Sequence, residues 1–196
     1  MKQGSEEWTA WRKAGLGGSD APIIVGLSPY RTASQLYLDK IGEGVPQRVN
    51  KWMQRGLDLE PEARRAYEAR TGNAIEPCTL LHPDWPIMRA SLDGRTFDGE
   101  ICVEIKAPGM YDHTYARGGA VPKHYMPQCQ HLLAVSGASV LHYWSYRPDD
   151  PPALIVVEPD REYIEQLIAL EREFWGYVER REPPPLTARE RMKGVG

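Results

Sequence analysis

Residues 99–109 read GEICVEIKAPG, and the alternation of side chains in this stretch predicts a β-strand. Successive side chains of a strand point to opposite faces, so the isoleucine–valine–isoleucine series shares one face, which requires burial. Cys102, Glu104 and Lys106 share the other face, where a carboxylate lies next to an ammonium group. This stretch alone favours a half-solvated strand with a surface ion pair, which contributes little stability.

The preceding segment, MRASLDG at residues 88–94, predicts a second strand that the loop GRTFDG joins to the first as a hairpin. In a hairpin the end of one strand faces the middle of the next, so we expect Asp93 to approach Glu104 and Lys106. Two carboxylates and a backbone carbonyl suit Mg²⁺, which takes one or two carboxylates and keeps several waters. A neighbouring lysine can hold or deprotonate a metal-bound water for phosphodiester hydrolysis. Since Glu-x-Lys arises by chance about once in such a chain, both interpretations stay open here.

Composition limits the classes of protein. The 196 residues fit one domain, and the formal net charge of −3 argues against a protein that coats nucleic acid by bulk positive charge. A nuclease with an acidic site in a locally basic groove remains possible. The first residues, MKQGSEEW, lack the apolar core of a signal peptide, and no apolar run is long enough for a membrane span. We therefore expect a cytoplasmic protein without a membrane partner.

The cysteines and histidines predict no metal or disulfide framework. Cys78, Cys102 and Cys129 are scattered, odd in number and form no Cys-x-x-Cys pair. We expect three buried thiols in a reducing compartment. The five histidines have no ligand spacing, so no zinc site is predicted.

The rest of the chain predicts mixed α and β structure in one domain, residues 1–182, followed by a tail, residues 183–196. The predicted helices cover residues 6–15, 32–42, 51–70, 122–137 and 160–181, and further strands cover 139–148, 152–159 and a short part of 74–88. Ser19 or Asp20 is a candidate N-cap for a helix with Pro22 in its first turn. The mixed charges of the last helix, Glu171 among them, predict a solvated face. The aromatic residues of strand 139–148 fit a core strand better than a base-stacking surface.

Three further stretches add polar candidates. GLDLEPEARRAYEARTG places Glu60 on a helix before the hairpin, and we interpret Glu62 and Glu68 on the same helix as solvated acids. YMPQCQHLL sets Gln128 and Gln130 among apolar neighbours, where a glutamine usually satisfies a backbone group. WRKAGLGGSDAP combines an arginine, a glycine-rich turn and a serine at a predicted helix start, which favours phosphate binding.

In this order the stretches WTAWRKAGLGGSDAP, GLDLEPEARRAYEARTG, SLDG, EIKAP and YMPQCQHLL resemble the YqaJ-like viral recombinase family, the lambda-type phage alkaline exonucleases. The resemblance runs from about Trp8 to Tyr146. It implies an α/β fold with a restriction-endonuclease-like core, in which helices flank a mixed central β-sheet. It also implies a Mg²⁺-dependent exonuclease, with Mn²⁺ as a substitute, that degrades the 5′-ended strand of double-stranded DNA and leaves 3′ single-stranded tails.

The resemblance assigns metal and water roles around the hairpin. It implies that Asp93, Glu104 and the carbonyl of Ile105 are metal ligands and that Lys106 positions the attacking water. Glu60 corresponds to a helix glutamate that supports a second metal.

The resemblance also assigns residues that contact the DNA. Gln128 corresponds to a glutamine that contacts the active lysine or the scissile region. Arg12, Ser19 and Ser91 correspond to a pocket for the 5′-phosphate of the degraded strand, and Trp8 to an aromatic residue of the same block.

For Asp84, in HPDWP, the resemblance offers a position for one more acid. Its further implications are a ring of three subunits around the duplex, a single-strand annealing protein as partner, and a phage or prophage gene expressed in a bacterial host. Arg12 or the region of residues 48–55 would line the channel.

Two alternatives remain, an endonuclease or junction-cleaving enzyme on the same core and a non-catalytic DNA-binding module. The phosphate pocket disfavours the first, and the second predicts loss of an acid or of Lys106, none of which is lost.

Overall fold

The structure is a computed structural model that describes residues 4–45, 51–186 and 190. None of the helices in these ranges is long and apolar enough to cross a membrane. The helices and strands are, in chain order, α1 Glu6–Lys13, β1 Leu16–Gly17, α2 Ala21–Ile24, α3 Ala33–Lys40, α4 Lys51–Thr71, β2 Glu76–Leu81, β3 Met88–Arg95, β4 Ile101–Lys106, α5 Met110–Arg117, α6 Met126–Ser136, β5 Val140–Arg147, β6 Asp150–Val157 and α7 Arg161–Arg180.

The strands form one mixed sheet in the order β1-β3-β4-β5-β6, with β2 paired to β3. The β3–β4 and β5–β6 pairs are antiparallel, whereas β1–β3 and β4–β5 are parallel. Helices pack on this sheet, which confirms the predicted fold class. The hairpin ladder is short, because only Gly94 and Arg95 pair with Val103 and Cys102. Beyond this pairing the ladder between β3 and β4 ends, beside Asp93.

The central strand β4 is buried on both faces. Val103 and Ile105 pack with Tyr67 of α4 and Trp144 of β5, while Cys102 belongs to a second cluster under α6. Both faces are covered because β4 lies between β3 and β5 with helices on either side. The half-solvated interpretation of this strand is therefore wrong. The aromatic strand β5 is a core strand, as predicted.

Three helix predictions need correction. The helix predicted from residue 122 begins at Met126, so Pro127 lies in its first turn, where a missing N–H costs nothing. Helix α5 was not predicted, because its eight residues begin after Gly109 without a side-chain cap. Asp20 occupies the N-cap position of α2, but its side chain makes no capping bond to that helix.

The predicted domain limit and tail stay predictions. Residues 182–186 form no helix or strand, and most of the remaining tail lies outside the described residues. Within the described chain the three cysteines are free thiols, although Cys78 is only half-buried, contrary to the prediction of three buried thiols.

The last helix has a buried acid on its inner face, so its interpretation as simply solvated is wrong at Glu171. The side chains of Glu171 and His131 are both inaccessible, and His131 Nδ1 lies 2.8 Å from Glu171 Oε1. His131 Nε2 lies 3.0 Å from the carbonyl oxygen of Arg89 on β3. Burial alone lowers the pKa of His131, but the Glu171 carboxylate and the Arg89 carbonyl outweigh it and raise the pKa above its ordinary value. The pair joins α6, α7 and β3.

This pair predicts a pH-dependent stability. Because the folded pKa of His131 is raised, its contribution is fully present below the unfolded pKa of about 6.5 and is lost as pH rises through the folded value. Glu171→Gln should lower the free energy of unfolding by about 1.5–3 kcal/mol at acidic pH, with a smaller loss at alkaline pH. Urea unfolding of both proteins at a series of pH values measures this difference in the free energy of unfolding. The control is Glu173→Gln, an exposed acid of the same helix. Equal losses at both pH extremes would contradict the assignment.

Candidate active site

The hairpin brings together the two acids and the lysine that the sequence predicts. Asp93 Oδ2 accepts a hydrogen bond of 2.8 Å from the backbone N–H of Ile105. This side-chain bond continues the contact between β3 and β4 after their backbone pairing ends at Val103. The Glu104 side chain is 3% exposed and forms an ion pair with Lys106 through Oε1. Gln128 of α6 donates to the same oxygen at 2.6 Å. Four predicted site residues thus converge on one cleft at the end of β3.

The charges in this cleft are strongly coupled. Burial raises the pKa of Asp93 well above its usual range, the Glu104 and Glu60 carboxylates raise it further, and Lys106 acts in the opposite direction. Burial lowers the pKa of Lys106, but Glu104 and Asp93 outweigh it, so that pKa is raised. The lysine therefore remains an ammonium while the acids repel one another. A bound cation would relieve this repulsion.

Glu60 is connected to the hairpin through a residue that the sequence did not single out. Arg64 Nη2 donates to Glu60 Oε1 at 2.6 Å, and Arg64 Nε donates to the carbonyl oxygen of Asp93 at 3.2 Å. The helix α4 thereby holds Glu60 near Asp93. The spacing of four residues between Glu60 and Arg64 was visible in the sequence, but that spacing is common on solvated helices.

The donor set fits a hard cation. It comprises the carboxylates of the half-buried Asp93 and the buried Glu104, and the backbone carbonyl of Ile105 stays the third predicted ligand. Within residues 4–45, 51–186 and 190 no group of three His, Cys, Asp or Glu side chains is arranged as a metal site. Mg²⁺ needs no such group, because it takes one or two carboxylates and completes its octahedron with water. The residues present thus suit Mg²⁺ better than zinc.

A second cluster gathers the predicted phosphate residues. Arg12 Nη2 donates to Ser19 Oγ, and the Arg12 guanidinium lies 4.7 Å from the ring centroid of Trp8. Trp8 Nε1 donates to Ser91 Oγ at 3.1 Å. Ser91 is two residues before Asp93 on β3, so the two side chains leave the strand on the same face. The phosphate cluster and the acids therefore share one strand.

The two clusters also meet through a glycine. A Cβ atom on Gly18 would lie 2.9 Å from Leu132 Cδ2 and 3.3 Å from Gln128 Cγ, both on α6. The absence of a side chain lets the turn that carries Ser19 pack against the helix that carries Gln128. Position 18 therefore requires glycine because the turn and the helix approach each other closely there.

Other predicted polar residues lie elsewhere or have structural partners. Asp84 is exposed in the loop between β2 and β3, unlike the half-buried Asp93 and the buried Glu104. Gln130 donates to the carbonyl of Glu158, as expected of a glutamine that satisfies backbone. Glu62 is exposed as predicted, but Glu68 is half-buried and accepts from the backbone N–H of residue 75.

Tyr125 is a site neighbour that the sequence interpretation missed. Lys106 Nζ lies 5.2 Å from the centroid of the Tyr125 ring. Burial, partly offset by Lys106, raises the pKa of Tyr125 to about 12. Its position three residues before Gln128, at the start of α6, is the signal that could have indicated it.

The fold of this chain has solved counterparts. The alkaline exonuclease LHK-Exo from Laribacter hongkongensis superposes with a TM-score of 0.77 at 26% identity, covering 90% of this chain and 94% of that one. Its complex with dAMP gives a TM-score of 0.79 at 25% identity with the same coverage. A phage-related exonuclease from Haemophilus somnus, at 13% identity and a TM-score of 0.66 over 85% of this chain and 94% of that one, shares the fold. The fold is thus that of the alkaline exonuclease class.

Within this class the chain belongs to the YqaJ-like viral recombinase domain family, which it matches over residues 7–139. It is 30% identical over 181 residues to the uncharacterized protein YqaJ of Bacillus subtilis strain 168, an alignment that covers 87% of this chain and 55% of that protein. The chain therefore spans about half the length of this curated relative. The resemblance drawn from the sequence motifs is confirmed.

Proposed function

We propose that this protein is a Mg²⁺-dependent exonuclease that degrades the 5′-ended strand of double-stranded DNA and leaves 3′ single-stranded tails for recombination in a bacterial cytoplasm. Family membership and the likeness to an alkaline exonuclease at 26% identity support a DNA nuclease. The observation that carries the proposal is the hairpin, where the half-buried Asp93 and the buried Glu104 lie beside Lys106.

Each residue of the cleft has a task in this proposal. Asp93, Glu104 and the Ile105 carbonyl would hold the cation, with Glu60 supporting a second one. When bound, Mg²⁺ supplies a Lewis acid and acidifies its water, and Mn²⁺ serves the same oxygen donors. Gln128 donates to Glu104 and fixes the direction of that carboxylate.

Lys106 has the task of handling the nucleophile. Its raised pKa keeps it charged, so it orients the attacking water and stabilises negative charge at the phosphate. Its ion pair with Glu104 and the nearby face of Tyr125 hold the ammonium in place. The Glu104 side chain is nearly inaccessible to water, which strengthens its interaction with Lys106.

The phosphate cluster supports recognition of a 5′ end. An arginine and two hydroxyl groups, from Arg12, Ser19 and Ser91, provide charge-assisted and neutral donors for a terminal phosphate. Since Ser91 and Asp93 share one strand face, a phosphate at the cluster would set the distance of the next phosphodiester from the acids. An enzyme that cuts internally needs no such pocket, which favours the exonuclease.

Digestion of a duplex labelled at either the 5′ or the 3′ end, with and without Mg²⁺, tests the proposal. We expect Mg²⁺-dependent release of the 5′ label as the first product and retention of the 3′ label until late in the reaction. Early release of the 3′ label would refute the polarity, and equal cleavage in chelator would refute the metal requirement.

We further propose a ring of three subunits around the duplex, with an annealing protein as partner for the 3′ tail. A closed ring suits processive digestion, and arginines such as Arg55, beside Trp52 on α4, would concentrate positive charge in the channel of a mildly acidic protein. Arg48, at the start of the predicted 48–55 region, lies outside the described residues.

The ring predicts a trimer in sedimentation analysis and processive digestion whose initiation weakens steeply as salt rises, because phosphate contacts are screened. Product-length distributions under a competitor DNA trap measure processivity. Monomers at working concentration together with distributive cleavage would contradict the ring and leave the hairpin site untouched.

A further inference from the structure

Behind the phosphate cluster lies a buried ion pair that none of the assigned roles uses. Lys40, the last residue of α3, places Nζ 2.7 Å from Asp20 Oδ2, and the two side chains are 7% and 9% exposed. Buried pairs of this kind often contribute no more stability than apolar residues of the same size, because both charges lose their hydration. The position of the Lys40–Asp20 pair is therefore better explained by the backbone groups that it holds in place than by stability.

The lysine ties together the backbone on both sides of the cluster. Lys40 Nζ also donates to the carbonyl of Gly15 at 2.6 Å and to the carbonyl of Arg12 at 3.1 Å. An ammonium group has three donors, and all three are used here. One of them fixes the backbone of the residue whose guanidinium contacts Ser19.

The aspartate completes this frame from the other side. Asp20 Oδ2 accepts from the backbone N–H of Gly17 at 3.0 Å, so the carboxylate closes the turn that carries Ser19. Although burial acts to raise it, the pKa of Asp20 lies below its ordinary value, because Lys40 and Arg12 stabilise the charged form. Lys40 and Asp20 together join the end of α1, the glycine turn and the end of α3.

We propose that Lys40, paired with Asp20, is the positioning residue for 5′-phosphate recognition: it holds Arg12 and Ser19 at the spacing a terminal phosphate requires. This inference rests on the proposed phosphate pocket. Lys40 reaches Arg12 through its backbone, so it acts through the arginine and not on the DNA. A small displacement of a positioned group costs up to about 100-fold in rate, and both donors move together if the frame is lost.

The test compares cleavage of 5′-phosphorylated and 5′-hydroxyl duplex ends by Lys40→Met, which removes the charge and keeps the length. We expect the phosphate-to-hydroxyl rate ratio to fall at least about tenfold, through a higher KM for phosphorylated ends, while kcat on hydroxyl ends stays within about twofold. Lys13→Met is the matched control, because it removes an exposed lysine next to Arg12 and should keep the ratio.

A second variant covers the risk that Lys40→Met leaves Asp20 buried as an unpaired charge. The double variant Asp20→Asn with Lys40→Met removes both charges, so no unpaired charge is buried and stability should recover. It also removes the ammonium that donates to the two carbonyls, so the phosphate-to-hydroxyl rate ratio should still fall. A folded single or double variant that keeps the full ratio would overturn the inference. Failure of both variants to fold would also overturn it, since the pair would then hold the whole domain.

The unaltered protein separates this inference from the function on which it rests. If it cuts both ends equally, the phosphate pocket itself is wrong. If the unaltered protein and the Lys40 variants all cut 5′-phosphorylated ends faster, the phosphate pocket is supported and only the proposed role of Lys40 is wrong.

Discussion

Replacing Lys106 by alanine should lower the rate of DNA cleavage at least about 100-fold while the fold and DNA binding persist. The substitution removes the ammonium that Glu104 holds in the cleft, and with it the group that orients the attacking water. Single-turnover cleavage of a phosphorylated duplex measures the rate, and a filter or mobility assay measures binding. Lys123→Ala, which removes an exposed lysine just before α6, is the control and should cut normally.

The same reasoning applies to the metal carboxylates. Asp93→Asn should lose activity to a similar extent, because it removes one charged ligand from the set. Ca²⁺ should support binding without turnover, since its coordination shell is larger and looser than that of Mg²⁺. A Lys106→Ala protein that cuts at near-normal rate would remove this residue from the mechanism.

The second large effect concerns the DNA end. Duplexes with a 5′-phosphate should be cut about 10–100-fold faster than 5′-hydroxyl duplexes, because each hydrogen bond to a charged group is worth about 1.5–3 kcal/mol. Arg12→Ala should abolish most of this preference and change the rate on hydroxyl ends much less. The initial rates on the two ends give the ratio directly, and Lys13→Ala, an exposed neighbour on α1, should retain it. Equal rates on both ends with the intact protein would remove the pocket.

The sequence was most informative where local pattern and hairpin geometry decide the structure. The alternation of β4 and the position of Asp93 at the end of β3 together predicted that Asp93, Glu104 and Lys106 meet, and they do. The strand face was predictable because a period of two leaves no other arrangement. The degree of burial was not, because it depends on which helices cover the strand.

Buried charges of the helices were the least predictable feature. Glu171 and Lys40 are charged helix residues of a kind that usually faces solvent. Their partners, His131 and Asp20, lie on other elements. Arg64 likewise gains its contact to β3 only when α4 docks on the sheet. Such pairs depend on tertiary packing, which a single sequence does not display.

The most direct measurement of the central claim is single-turnover cleavage of a 5′-phosphorylated duplex by the intact protein and by Glu104→Gln across a Mg²⁺ titration. Glutamine keeps the size of the side chain and an oxygen for Gln128, but it removes the charge from the proposed metal site. The hairpin mechanism predicts cleavage that rises with Mg²⁺ for the intact protein and stays at least about 100-fold lower for Glu104→Gln at every concentration, with DNA binding unchanged. Equal rates and equal Mg²⁺ dependence for the two proteins would contradict it.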